Sequence, residues 1–186
     1  MYLPAALGAA TRAPLVVYLH GAGGDAKRLP LLLHDLADGH GLVVLAPESR
    51  GTTWDLAGEP SGPDLEYLRR AVDHVRSRVP VDESHLALAG FSDGASYALA
   101  VGLANAGAFT HVMAFSPGGP RRSRSPRPEV FISHGTRDGI LPVSNARAIV
   151  ERLRGDGFAL SYREFEGGHE VPRDVAAEAI RWFVGR

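Results

Sequence analysis

Residues 86–105, LALAGFSDGASYALAVGLAN, hold a short apolar run, a turn built on Gly90, Ser92 and Gly94, and then a longer apolar-rich stretch. The run Leu86–Ala89 reads as a strand and Gly94–Asn105 as a helix, so the turn between them is a strand-to-helix corner. Gly90-Phe91-Ser92-Asp93-Gly94 fits G-x-S-x-G, the pattern of a nucleophile elbow, which needs tiny neighbours on both sides of a backbone-strained serine. The helix N-terminus behind Ser92 would offer free N–H groups and a positive dipole end to a developing oxyanion.

Outward from this corner the same alternation recurs. Leu15–His20, Leu42–Ala46, His111–Phe115, Val130–His134 and Leu160–Glu164 read as further strands, mostly continuous apolar runs suited to burial on both faces. Lys27–Asp38, Pro63–Arg78, Val143–Arg154 and Pro172–Val184 read as helices, with Leu65, Leu68, Val72, Val75 and Val79 at helical spacing. Asp64 and Asp174 fall in first turns, and Gly155 and Gly185 at helix ends. The expected fold class is α/β: a mostly parallel, doubly wound sheet of about six strands flanked by helices, in one domain over residues 1–186.

At 186 residues, with 45% hydrophobic and 22% charged residues, a chain can bury a full core without staples. A formal net charge of −1 provides no field that steers it to nucleic acid or an anionic membrane. There is no cysteine, which excludes disulfides, thiolate metal sites and a cysteine nucleophile, and fits a reducing compartment. Met1–Thr11 lacks the basic and apolar regions of a signal peptide, and no stretch nears the roughly 20 apolar residues of a membrane span. A soluble, cytoplasmic protein is expected.

A serine hydroxyl needs a base. Of eight histidines, His169 lies in Glu166-Gly167-Gly168-His169-Glu170, a loop between the last strand and the last helix. Such loops emerge at the carboxyl edge of a parallel sheet, where Ser92 also sits. His34, His40, His74 and His85 fall in helices or at the opposite edge, and His111 begins a strand. A carboxylate should then orient the imidazole. Asp138, in His134-Gly135-Thr136-Arg137-Asp138, follows a strand at the same edge, and Asp156, the fallback, lies at the other. The order Ser92, Asp138, His169 suits this architecture. His20-Gly21-Ala22-Gly23-Gly24 ends the first strong strand in a backbone-exposing loop placed to complete an oxyanion hole, with the Ala22 N–H joining that of Asp93. It lacks full G-x-G-x-x-G spacing, so a dinucleotide fingerprint is not expected.

HGAGG, GFSDG, SHGTRDGILP and EGGHEVP, in this order and spacing, resemble the bacterial phospholipase/carboxylesterase group of α/β-hydrolases, relatives of the acyl-protein thioesterases, from Pro14 to the C-terminus. The resemblance implies an α/β-hydrolase fold without a cap domain and a serine esterase, with Ser92 as nucleophile, Asp138 and His169 as partners, and Ala22 and Asp93 as oxyanion donors. Two departures stand out. Acyl-protein thioesterases usually carry Gln and paired glycines after the nucleophile, whereas Asp93, Gly94 and Ala95 follow here, and their acyl-tunnel segments are shortened. With little apolar wall, short acyl groups are the expected substrates.

The same triad would serve a thioesterase or lysophospholipase, and the fold also hosts non-catalytic ligand binders. No H-x-x-x-H or H-E-x-x-H pair occurs, so no metal or cofactor is expected, and the partner is a small-molecule ester rather than nucleic acid. Trp54, in the irregular segment Glu48–Gly62, is a candidate pocket wall or a scaffold residue. Arg121, Arg122, Arg124 and Arg127, in the Arg-rich loop 116–128, form a solvated loop or recruit anionic substrates. Oligomeric state is not legible.

Overall fold

A computed structural model describes residues 1–5, 7–8, 11–26, 31–55, 62–105, 107–119 and 128–185, the side chains of Leu31 and Leu32 excepted. Six strands, β1 (Ala13–Leu19), β2 (Val43–Leu45), β3 (Val81–Phe91), β4 (His111–Phe115), β5 (Glu129–Gly135) and β6 (Leu160–Phe165), form one sheet in the order β2-β1-β3-β4-β5-β6. Every strand pair is parallel. Beyond the sheet edge Tyr2 makes a single antiparallel bridge to Val44, which occupies part of the open edge of β2.

Alternation along the strands sends side chains to two separate cores. Leu15, Val17, Leu88, Val112 and Ile132 face one way, against α2 (Pro63–Arg76), α3 (Asp93–Ala104) and α4 (Val143–Gly155). Val16, Ala87, Ala89, Met113 and Phe131 face the other, against α1 (Leu31–His40) and α5 (Arg173–Phe183). Both faces are covered by helices, which is why the strands read as unbroken apolar runs rather than alternating ones. On α5 the buried residues Val175, Ala176, Ala179, Ile180 and Phe183 recur at helical spacing.

The expected elements all exist among the described residues, and several boundaries shift by a few residues, three of them informatively. β3 starts at Val81, not Leu86, because Val81 pairs with Ala13 across a register shift, and the polar Asp82–His85 between them hides that start. α4 runs through Gly155, and the residue with positive φ is Gly157, at 77°. α1 continues to His40 and stops where Gly41 turns left-handed at φ 66°. The expected start of that helix, Lys27, and the four arginines of the 116–128 loop lie outside the described residues. No described helix is long and apolar enough to cross a membrane.

The strand order reverses direction between β1 and β3. Loops leaving these two carboxyl ends diverge, and the crevice they open is where ligands bind in sheets of this kind.

Candidate active site

The corner at the end of β3 has the strain that its sequence implies. Ser92 sits at φ 55° and ψ −114°, a conformation costing about 1–3 kcal/mol for a non-glycine residue. Its N–H is held by Phe115 O at 2.9 Å, and its carbonyl accepts the Ser96 N–H at 3.0 Å and the Ser96 hydroxyl at 3.1 Å. The hydroxyl of Ser92 is thereby presented rather than packed away.

Gly94 shows why the turn tolerates no side chain there. A Cβ at this position would meet His20 O at 2.5 Å, as the start of α3 lies directly against the end of β1. Gly94→Ala is therefore expected to destabilise the fold by about 3 kcal/mol or more, since backbone cannot yield as a side chain can. Urea denaturation checks this; a loss below about 0.5 kcal/mol would refute the close approach.

His169 and Asp138 reach the same corner from loops after β6 and β5. Ser92 Oγ–H donates to His169 Nε2 at 2.8 Å, and His169 Nδ1–H donates to Asp138 Oδ2 at 2.6 Å. An ionised carboxylate only accepts, so the imidazole proton belongs on Nδ1 and Nε2 is free to act as base. Asp138 Oδ1 accepts the N–H groups of Ile140 and Leu141, both at 2.9 Å. Burial works to raise the Asp138 pKa, but the bonds from His169, Leu141 and Ile140 outweigh it and hold the carboxyl below its ordinary value. The two loops are mutually braced. Arg137 N–H donates to Gly167 O at 2.9 Å, and a Cβ on Gly135 would sit 2.6 Å from that same oxygen. Phe91 packs on the imidazole with ring centroids 4.7 Å apart, so it supports His169 as well as the core.

The N–H groups of Ala22 and Asp93, the candidate oxyanion donors, donate to no other group among the described residues. Their loop is fixed by a network that the sequence does not announce. His20 Nε2 accepts the Ser49 N–H at 3.1 Å while Nδ1–H donates to Gly21 O at 2.8 Å. Trp54 Nε1–H donates to His20 O at 2.9 Å, and Trp54 N–H to Asp93 Oδ2 at 3.1 Å. Trp54 is only 2% exposed and stacks on Tyr97 at 5.5 Å. As a pocket wall it is corrected: it is buried scaffold tying the end of β1 to the corner after β3, because its indole N–H finds its acceptor inside.

Above Ser92 lies an open cleft of about 350 Å³, lined by Ser92, Asp93, Ser96, Gly118, Gly119, Ile140 and Leu141. Ser96 Oγ accepts the Gly118 N–H at 2.8 Å and so sets the glycine wall. Ile140 is 71% exposed at the rim, a large apolar side chain anchored by its own N–H on Asp138. A smaller cavity of about 50 Å³ between the sheet and α5 is lined only by apolar residues and Tyr18, with no group placed to act on an ester.

No family model matches the chain. It is 31% identical over 94 residues to "Putative esterase NocK" of Nocardia uniformis subsp. tsuyamanensis, covering 46% of this chain and 27% of that protein, so it spans about a quarter of the curated relative's length. Among solved structures, esterase PE8 superposes with a TM-score of 0.77 at 23% identity, covering 98% of this chain and 96% of that one. FphF, a fluorophosphonate-binding serine hydrolase of Staphylococcus aureus, superposes with a TM-score of 0.78 at 15% identity, covering 98% and 90%. At these identities the likeness to the solved structures is one of fold.

Proposed function

We propose that this chain, which has the α/β-hydrolase fold, is a serine carboxylesterase that cleaves small esters through an acyl-enzyme on Ser92. The observation that carries the reading is the unbroken relay from Ser92 Oγ through His169 to Asp138, with links of 2.8 and 2.6 Å. Ser92 Oγ attacks the ester carbonyl carbon as its proton passes to His169 Nε2. The resulting imidazolium is stabilised by Asp138, and the oxyanion is bound by the N–H groups of Ala22 and Asp93. Collapse expels the alcohol, which takes the proton from Nε2. Water then attacks the acyl-enzyme, giving its proton to the same nitrogen, and the carboxylic acid leaves as Ser92 recovers its hydrogen.

Within this reading the protein is one cytoplasmic domain that needs no cofactor. The esterase names of NocK and PE8 support the reaction class, and the fluorophosphonate-binding serine hydrolase FphF suggests the direct probe. Fluorophosphonate treatment is expected to label Ser92, identified by peptide mapping, and an unlabelled but folded protein would end the esterase reading in favour of a binding function. The shallow cleft and exposed Ile140 support short acyl groups. Across p-nitrophenyl esters from acetate to laurate, kcat/KM is expected to peak at the two- to four-carbon acyl groups. A rise towards laurate would overturn the chain-length assignment.

A further inference from the structure

Four residues before Asp138, the end of β5 holds a histidine that acyl transfer does not use. His134 is fully buried. Its Nε2 lies 2.9 Å from Leu141 O and 3.2 Å from Asp138 Oδ2. Both neighbours accept only, so a lone pair on Nε2 would face two oxygens, and the proton belongs there. Nδ1, on the other side of the ring, is buried without a hydrogen-bond partner among the described residues. A second proton at Nδ1 would be an N–H enclosed with nothing to receive it, a worse arrangement than an idle lone pair. Geometry therefore makes His134 a neutral imidazole with a single proton, on Nε2. Among the described residues, the other charged groups on this side are Glu164, in register with His134 on β6, and Arg147, which is already paired with Glu164 at 2.8 Å.

We propose that His134 is a positioning residue of the triad. It ties down the Leu141 carbonyl and turns the positive end of a neutral ring towards Asp138 Oδ2. The Leu141 bond holds the 138–141 turn in the shape that lets the Ile140 and Leu141 N–H groups reach Oδ1. Oδ2 is left between two imidazoles, one that works and one that holds. Because His134 is neutral, it steadies the carboxylate without adding a positive charge against the imidazolium forming on His169. The inference rests on the triad reading given under Proposed function.

The test compares His134→Leu, which keeps bulk without a donor, with His134→Gln, whose side-chain amide N–H can occupy the Nε2 position. With p-nitrophenyl acetate, His134→Leu is expected to lower kcat about 10–100-fold while KM stays within about twofold, by analogy with the loss of outer hydrogen-bond partners around metal-binding histidines and carboxylates. His134→Gln is expected to recover kcat to within about fivefold of the parent. The downfield proton resonance of His169 Nδ1–H should weaken in the Leu variant and persist in the Gln variant. A folded Leu variant with unchanged kcat, or a Gln variant no better than Leu, overturns the proposal. If Leu does not fold, His134→Asn replaces it, since its amide reaches only the Nδ1 position and must fail where Gln succeeds. In the parent, ¹⁵N correlation spectra should show His134 protonated on Nε2 alone, and a proton on Nδ1 overturns the proposal. This last readout stands whether or not the protein turns over esters. A parent that is inactive and unlabelled, with the Nε2–H tautomer present, thus sinks the esterase reading and leaves the His134 geometry supported.

Discussion

Ser92→Ala is expected to lower kcat for p-nitrophenyl acetate by about 10⁶-fold and to abolish fluorophosphonate labelling, with the fold intact. That factor corresponds to about 8 kcal/mol of transition-state stabilisation. The size follows from the relay: without Oγ, His169 has no proton to accept and no acyl-enzyme forms, so only the oxyanion donors and substrate binding remain. The substitution should also relieve no packing, because the Ser92 backbone is held by its bonds to Phe115 and Ser96 rather than by its side chain. Retention of more than about a thousandth of the parent kcat would mean that another nucleophile carries the reaction.

Asp138→Asn is expected to cost about 10⁴-fold in kcat, with KM little changed. The geometry dictates which way the amide turns. Oδ1 accepts two backbone N–H groups, from Ile140 and Leu141, so the amide oxygen must stay there and the NH₂ must take the place of Oδ2. The NH₂ then donates to His169 Nδ1 and forces the imidazole proton onto Nε2, facing Ser92 Oγ, where a base is needed. The same NH₂ would point at the His134 N–H, donor against donor, so a lowered melting temperature should accompany the lost activity. Steady-state kinetics at pH 8 measure the first effect and thermal unfolding the second. A kcat within tenfold of the parent would show that Asp138 does not control the tautomer.

Much of the active edge could be placed from residue order alone, for a local reason. Strand, G-x-S-x-G and helix are contiguous around Ser92, so the elbow's chemistry and its context lie within twenty residues. His169 and Asp138 were legible because a loop after a parallel strand has only one edge to emerge from, whatever its partners. The glycine-rich stretch after β1 puts Ala22 forward as a candidate oxyanion donor by the same argument.

The residues that hold these groups in place were not legible, because each acts across a distance that spacing does not encode. Trp54 lies 34 residues from the His20 carbonyl it binds and 39 from Asp93, and nothing local distinguishes a buried indole from one lining a cleft. His134 stands in an apolar strand end, and its facing of Asp138 depends on the turn through Gly135–Leu141 doubling back. Hydrophobic pattern, turn chemistry and chain order therefore determine which sheet forms and at which edge Ser92, Asp138 and His169 meet, since these depend on residues near one another. The supporting hydrogen bonds belong to the folded state alone, because buried polar groups take whatever partners the packed loops bring to them.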